Sequence, residues 1–123
     1  MSIKVYVSLG SNVAEGKVEI EEAFRFLDGV LNDTVHSSIY VTAPLSGIGA
    51  NYRNAVTLGW TDISAEELSK LFKEYERSRG RRPEDKEAGL VVVDLDLVIY
   101  GDKVLREHDA SCDFFVKGYN EIR

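Results

Sequence analysis

The sequence has little cysteine, little proline and no long apolar segment. Its single cysteine, Cys112, cannot form an internal disulfide, which favours the reducing cytoplasm over a secreted location. No apolar run approaches the ~18 residues that a membrane-spanning helix needs. The first residues lead into a strand-like stretch that lacks the pattern of a signal peptide. We therefore expect a soluble cytoplasmic protein that does not associate with membranes.

Basic residues are also in the minority. The chain has 15 Lys and Arg residues against 21 Asp and Glu residues, which gives a formal net charge of -6. This balance argues against nucleic acids and anionic membranes as partners, so any anion has to bind at a local cluster of positive charge. With 123 residues, 44% of them hydrophobic, the chain suffices for one core but not for two ordinary domains. We expect residues 1–123 to form a single domain.

The hydrophobic pattern predicts four main strands and two helices. Alternating or β-branched stretches indicate strands at 3–10, 34–42, 52–60 and 89–102, and apolar residues at helical spacing indicate helices at 18–33 and 64–80. The second helix opens with a capping box, Ser64 and Glu67. The order strand, helix, strand, strand, helix, strand is typical of a ferredoxin-like α+β sandwich, a βαββαβ fold. We expect an antiparallel sheet with helices on one face and the other face bare.

Two aspartates interrupt an apolar strand in the stretch GLVVVDLDLVIYGD (89–102). Because side chains alternate along a strand, Asp94 and Asp96 share one face about 6.6 Å apart, while Val93 and Leu95 point to the other. At an effective dielectric constant of ~20 their repulsion is ~3 kcal/mol, which a divalent cation reverses. Oxygen ligands without a nearby His or Cys favour Mg²⁺. The alternative is a pair of solvated aspartates, since the D-x-D pattern is short and common.

Four arginines lie within six positions at the end of the second predicted helix: Arg77, Arg79, Arg81 and Arg82. Guanidinium groups match the geometry of phosphate, so a polyphosphate between this cluster and a metal on the two aspartates would satisfy both. The alternative explanation is that arginines at a helix C-terminus complement the helix dipole. That explanation accounts for Arg77 and Arg79 better than for Arg81 and Arg82, which follow Gly80.

Other familiar site patterns are not matched. The stretch GSNVAEGK (10–17) has five residues between its glycines instead of the four of a phosphate-binding P-loop, and Val18 follows Lys17 where Ser or Thr is needed. His36 and His108 have no metal-ligand partner near them in the sequence, and we expect both at the surface.

Five short motifs, in this order and at these spacings, resemble the 6-hydroxymethyl-7,8-dihydropterin pyrophosphokinase family of folate synthesis: SLGSN, YVTAPL, NYRNAV, ERSRGR and VDLDL. The resemblance runs from residue 5 to about residue 105. It implies the ferredoxin-like sandwich and a transferase that moves pyrophosphate from ATP to the hydroxymethyl group of a reduced pterin, releasing AMP. It also implies two Mg²⁺ ions, with the pterin and ATP as small-molecule partners.

The resemblance also implies roles for single residues. Asp94 and Asp96 would bind both metal ions and, with Arg81, carry the catalysis. The nucleotide would contact Glu76, Arg81 and Arg82. The positions that line the pterin pocket of the family are matched by Thr42, Leu45, Tyr52 and Asn54, and its supporting turn by Gly10, Ser11 and Asn12.

The chain departs from the family pattern around the nucleotide. Ala88 and Val91 stand where the family has Trp and Arg, and Pro83 replaces a loop arginine. Asp109 and the stretch 113–115 stand where the family has a basic residue and a Pro-His pair. We therefore expect a short, C-terminally abbreviated member. One alternative is a noncatalytic pterin-binding or regulatory domain. A second alternative is a protein that binds RNA on its sheet face, which the excess of acidic residues disfavours.

From the resemblance we also expect this chain to lack the C-terminal segment that supplies a pterin-stacking aromatic in the family. Phe114, Phe115 or Tyr119 could replace that aromatic, or these residues could simply dock the tail onto the core.

Overall fold

A computed structural model describes residues 2–47, 49–80 and 89–123. Its strands are β1 (Ile3–Ser11), β2 (Asn32–His36), β3 (Tyr40–Thr42), β4 (Tyr52–Thr61), β5 (Asp94–Tyr100) and β6 (Lys103–Val104). Its helices are α1 (Gly16–Val30), α2 (Ala65–Ser78), α3 (Glu107–Ser111) and α4 (Asp113–Ile122). Over this part of the chain, none of the helices combines the length and the apolar character that crossing a membrane requires.

The strands form one antiparallel sheet with the order β2-β4-β1-β5-β6. Strand β3 pairs with a different part of β4 from the part that pairs with β2. The central strand β1 pairs with β4 along its whole length, from Ile3 opposite Thr61 to Ser11 opposite Arg53. Strands β1 and β5 are neighbours in the sheet although α1, β2, β3, β4 and α2 separate them in the sequence. The aspartate-bearing strand therefore lies beside the middle of the sheet. The predicted ferredoxin-like α+β architecture is confirmed.

Helices α1 and α2 cover one face of the sheet, as their apolar stripes predict. Ile20 and Leu27 of α1, with Leu68 and Phe72 of α2, are buried in one core. The strand residues in this core are Val5, Val7, Leu9, Ala55, Leu95 and Leu97, and Val93, just before β5, joins them. The Ser64 Oγ accepts a hydrogen bond from the Glu67 backbone N–H at 3.2 Å, so the predicted helix start is confirmed.

The opposite face is not bare, because the C-terminal helix α4 packs on part of it. Phe115 is buried against Tyr6, Val56 and Val98 in a second, smaller core. A side chain at Gly118 would place its Cβ 2.6 Å from Val56, so the glycine allows α4 to lie close to β4. The helix covers only part of this face and leaves uncovered the end that carries Asp94 and Asp96.

The strand predicted at 34–42 is two strands, because the chain leaves the sheet between His36 and Tyr40. At the break, the Ser37 backbone N–H donates to the Val56 carbonyl at 2.9 Å. The Ser37 hydroxyl then accepts from the Val56 N–H at 2.8 Å, in place of a backbone carbonyl. A serine side chain therefore completes the pairing of β4 where the β2–β3 segment bulges.

Candidate active site

A cavity of about 380 Å³ opens on the face of the sheet that carries α4, at the N-terminal end of that helix. Strands β1, β3, β4 and β5, the loop after β3 and the start of α4 all contribute to its walls. The residues from the sheet that line it are Ser8, Gly10, Thr42, Tyr52, Asn54, Asp94 and Asp96. The cavity therefore contains both aspartates of the predicted metal pair and residues from the predicted pterin pocket.

The two aspartates reach this cavity because of the register between β5 and β1. Asp94 lies opposite Gly10, and Asp96 lies opposite Ser8. The alternate residue Leu95 is buried among the helices on the other side. Small residues opposite both aspartates leave the space above them open. The side chains of β5 therefore alternate between the cavity and the helix-covered face, as the sequence predicts.

Asp96 lies between two basic side chains that come from different elements. Its Oδ1 atom is 3.7 Å from Lys73 Nζ and 3.8 Å from Arg106 Nη1. Burial raises the pKa of Asp96 above its ordinary value, the charges of Arg106 and Lys73 oppose this rise, and the nearby charges of Asp94 and Glu76 add to it. The site therefore holds a half-buried carboxylate whose charge depends on its neighbours.

The donor set suits Mg²⁺. Asp94 and Asp96 offer carboxylate oxygens on one face of a rigid strand, and Mg²⁺ is usually bound by one or two carboxylates together with phosphates and water. Among the described residues, no group of three or more His, Cys, Asp or Glu side chains forms a complete protein cage for a metal. A metal here would have to complete its coordination with oxygens that do not come from these side chains.

Asn54 forms the floor of the cavity in a fixed orientation. Its Oδ1 accepts a hydrogen bond from the Thr42 hydroxyl, and its Nδ2 donates to the Leu9 carbonyl at 3.3 Å. A Cβ at Gly10 would lie 3.1 Å from this Nδ2 atom and 3.7 Å from the Tyr52 ring, so the glycine leaves room for both side chains. The amide can use its remaining donor and acceptor capacity towards the cavity.

The side walls are aromatic and apolar. Tyr52 of β4 lies directly opposite Thr42 of β3. Leu45, which is 72% exposed, contributes from the loop after β3, and Phe114 from the start of α4. An aromatic ring, an alkyl side chain and a fixed amide form the kind of pocket that binds a flat heteroaromatic ligand by stacking and edge hydrogen bonds.

The turn after β1 supports the segment that leads into β5. Asn12 Oδ1 accepts from the Val91 N–H at 2.6 Å, and Asn12 Nδ2 donates to the Gly89 carbonyl at 2.7 Å. The Asn12 backbone N–H donates to the Val91 carbonyl at 3.0 Å. Ser11 is fully buried beneath this turn and does not line the cavity. One asparagine therefore positions the chain just before Asp94.

Glu76 lies outside the cavity lining. It is only 1% exposed, and its Oε2 accepts a hydrogen bond from the Leu95 N–H at 2.8 Å, which fixes the edge of β5 to α2. Lys73 connects it to the site, since Lys73 Nζ lies 3.2 Å from Glu76 Oε2 and 3.7 Å from Asp96. The nucleotide contact expected of Glu76 stays a prediction. The predicted contacts of Arg81 and Arg82 lie outside the described residues, as do Pro83 and Ala88.

Three charged residues of this region were not predicted to belong to the site, although the sequence comparison had noted Asp109 as a departure from the family. Arg106 and Asp109 line the cavity and form an ion pair with each other, and Lys73 reaches Asp96 from α2. The spacing of Arg106 and Asp109, three residues apart at the start of a helix, is a signal that could have found this pair. Lys73 has no such signal, because its distance to Asp96 depends on how α2 packs against β5.

The three aromatic candidates of the C-terminal segment have different positions. Phe115 and Tyr119 dock the tail, since Phe115 is buried and the Tyr119 ring lies 4.8 Å from the Tyr6 ring. Only Phe114 of these three lines the cavity.

Comparison with known proteins adds two findings. Residues 6–123 match the sequence model of the 7,8-dihydro-6-hydroxymethylpterin-pyrophosphokinase (HPPK) family. The chain is also 29% identical over 107 residues to a 2-amino-4-hydroxy-6-hydroxymethyldihydropteridine pyrophosphokinase of Pseudomonas putida. This match covers 85% of the chain and 88% of the relative.

Proposed function

Because the chain belongs to the HPPK family and is a pyrophosphokinase, we propose that it transfers pyrophosphate from ATP to the hydroxymethyl group of 6-hydroxymethyl-7,8-dihydropterin and releases AMP. The reaction would require Mg²⁺ and would belong to folate synthesis. The single cysteine and the acidic composition fit an enzyme of the reducing cytoplasm whose partners are small molecules.

One observation carries this proposal: a single cavity joins the aspartate pair to the aromatic and amide groups expected to bind the pterin. Asp94 and Asp96 line one side, and Tyr52 and Asn54 line another. A transfer between two substrates needs the acceptor hydroxyl and the donor phosphate held close together in line. A shared cavity provides that proximity.

Asp94 and Asp96 would hold the magnesium ions. When bound, Mg²⁺ would polarise the phosphoryl oxygens and neutralise the charge that develops on them during transfer. The chain's own contribution is to present two carboxylates on a strand that is hydrogen-bonded to β1 on one edge and to Glu76 on the other. A rigid base of this kind keeps the two ligands in position.

The pterin would lie over the floor formed by Asn54, with Tyr52 against its ring. The hydrogen bonds to Thr42 and Leu9 fix the Asn54 amide, so its free edge can recognise donors and acceptors of the ring without first reorienting. Leu45 would pack on the ring from the loop, and Phe114 from the opposite wall. These contacts would aim the hydroxymethyl group towards the aspartates and the phosphate held there.

A direct test measures AMP release by the full chain with ATP, Mg²⁺ and the pterin. We expect AMP to form only when all three are present, in an amount equal to the diphosphorylated pterin. Calorimetry with a non-hydrolysable ATP analogue would show whether both substrates bind. The noncatalytic alternative predicts pterin binding without AMP, and that result would reject the proposed reaction.

A further inference from the structure

Two basic side chains share one oxygen of the carboxylate pair. Lys73 Nζ of α2 and Arg106 Nη1, just before α3, lie 3.7 and 3.8 Å from Asp96 Oδ1. Both distances are those of ion pairs and are too long for hydrogen bonds. Together the two groups place two positive charges beside the oxygen, which equals the charge of a divalent cation.

Each basic side chain also has a second carboxylate that retains it near the site. Lys73 lies within hydrogen-bonding distance of both Glu76 oxygens, at 3.3 and 3.2 Å. The Nε atom of Arg106 donates to Asp109 Oδ2. The loss of Asp96 as a partner would therefore leave both cations at the edge of the cavity.

We propose that Lys73 and Arg106 are internal counterions of Asp96 that yield this carboxylate to a divalent cation and then bind the phosphates arriving with it. The inference rests on the proposed function, because it requires a metal and a nucleotide in this cavity. A free metal ion has to displace the positive charges of Lys73 and Arg106 from Asp96, and it brings no anion with which these two side chains could pair. A metal bound to a triphosphate supplies that anion, so metal and nucleotide bind together.

The chemistry of the two side chains fits this exchange. The planar guanidinium of Arg106 has several N–H donors, of which its Nε is used by Asp109, and the others can reach phosphate oxygens in the cavity that it lines. The Lys73 ammonium is a point charge on a flexible stem, and its side chain is 50% exposed, so it can move towards a ligand. Neither role was apparent from the sequence.

The test compares free and nucleotide-bound metal, with Mn²⁺ as the probe and its binding measured by electron paramagnetic resonance. The variants are Lys73→Gln and Arg106→Gln in the full chain. The matched control is Lys70→Gln, which makes the same change of charge at an exposed position one turn earlier in α2. Without nucleotide, we expect both variants to bind Mn²⁺ about two- to fivefold more tightly than the wild type and the control, as for removal of a partly exposed ion pair.

With ATP present the effect should reverse. Both variants should bind the Mn²⁺–ATP complex at least about twofold more weakly than the control, since they lack a phosphate-binding cation. A purely structural role of either lysine or arginine would not change the two affinities in opposite directions.

The inference is overturned if neither variant binds free Mn²⁺ more tightly than Lys70→Gln does. Failure of the proposed function is a different result, in which the wild type neither binds Mn²⁺–ATP nor releases AMP. If Lys73→Gln does not fold because buried Glu76 loses an ion pair, Arg106→Gln decides the question alone, since Arg106 pairs with a different second carboxylate.

Discussion

Single residues of the cavity are held by partners that restrict how they can move. Asn54 is hydrogen-bonded through both atoms of its amide, Asn12 holds the chain before β5 through three hydrogen bonds, and Asp96 lies between two cations. Such fixed groups lose little further entropy when a ligand binds. Substitutions at this scale should therefore change binding and turnover more than they change the fold.

Replacing one carboxylate tests the metal assignment. Asp96→Asn keeps the shape of the side chain and removes the charge, so we expect AMP formation to fall by about a hundredfold or more, because a lost metal ligand costs several kcal/mol of transition-state stabilisation. Initial rates of AMP release measure this, and circular dichroism should show an unchanged fold. The control Asp102→Asn, in the exposed hairpin after β5, should keep wild-type rates. Full activity of Asp96→Asn would reject the metal assignment.

Filling the space above Gly10 with a methyl group tests the assignment of the pterin pocket. In Gly10→Ala the new methyl group would lie 3.1 Å from Asn54 Nδ2, which is tighter than an ordinary contact, and would displace the amide. We expect the KM for the pterin to rise by about tenfold, equal to ~1.4 kcal/mol, with a smaller change in kcat. Steady-state kinetics at saturating ATP measure the two constants separately.

Gly29→Ala is the matched control for this substitution. Apart from the two chain neighbours and the backbone of α1 itself, no atom of the described residues lies within 4 Å of a Cβ at Gly29. The change should therefore leave the KM unaltered and stabilise α1 by up to ~1 kcal/mol. An unchanged KM in Gly10→Ala would show that the pterin does not depend on the position of Asn54.

At the scale of elements, α4 decides the shape of the second sheet face. The Tyr40 hydroxyl connects it to β3, donating to the Phe114 carbonyl at 2.6 Å and accepting from the Gly118 N–H at 3.1 Å. Glu121 accepts two further hydrogen bonds from Ser38, in the segment between β2 and β3. The cavity ends at Phe114, so the docking of α4 also sets one wall of the site.

Tyr40→Phe should loosen this helix. Burial is the main cause that raises the pKa of Tyr40 to about 12, so the hydroxyl is protonated at neutral pH and can donate as the structure requires. Its removal leaves the part-buried Phe114 carbonyl and the buried Gly118 N–H without this partner, and we expect the free energy of unfolding to fall by ~1–3 kcal/mol. Urea denaturation measures the loss.

Tyr119→Phe serves as the comparison, since it removes a hydroxyl group of α4 itself. Among the described residues, this hydroxyl forms no hydrogen bond. Its cost should stay well below that of Tyr40→Phe. Equal losses in the two variants would mean that the Tyr40 hydroxyl contributes nothing specific to the docking of α4.

At the scale of the whole molecule, negative charge exceeds positive charge, and stability should depend on the carboxylates that the fold pairs. On α1, Asp28 accepts a hydrogen bond from Thr34 and lies 2.8 Å from the Nε2 atom of His36. The hydrogen bond from Thr34 is the main cause that lowers the pKa of Asp28 below 3.8, with His36 adding to it and burial opposing it. Because the pKa of Asp28 is lower in the folded state than in the unfolded state, the Asp28 carboxylate stabilises the fold at pH values above the pKa of the unfolded state. This stabilisation is lost as the pH falls through the pKa of the folded state.

Asp28→Asn should therefore destabilise the protein near neutral pH and have a shrinking effect as the pH falls below the ordinary aspartate pKa. Because the Asp28 side chain is 51% exposed, solvent screens the interaction and the difference should stay within ~0.2–1 kcal/mol. Urea denaturation at a series of pH values measures it, with the exposed Glu21→Gln on the same helix as control. A difference that grows on acidification would contradict this account.

Local pattern was sufficient to predict most of the elements and part of the site. The alternation around Asp94 placed both aspartates on the face opposite α1 and α2, and the Ser64 cap placed the start of α2. The pterin-pocket positions were implied by the family resemblance and not by local pattern. Thr42, Leu45, Tyr52 and Asn54 line the same cavity as the aspartates, and their contact with a pterin stays a prediction. Pattern failed where a long-range contact overrides it, as at Ser37, whose side chain pairs with β4 and divides one predicted strand into two.

His36 shows the same limit. We expected it at the surface, but it is 22% exposed, stacks on the Phe24 ring with 4.1 Å between centroids and contacts Asp28 and Thr57. These partners come from α1 and β4, which its own neighbours in sequence do not reveal.

The sequence by itself determined the period of each strand and helix, and therefore which side chains face the helices and which face the candidate site. Only the tertiary structure decided that α4 covers part of the second face and that Lys73 and Arg106 meet at Asp96. The physical reason is that periodicity is a property of neighbouring residues, whereas the distance between two charges on separate elements depends on how those elements pack.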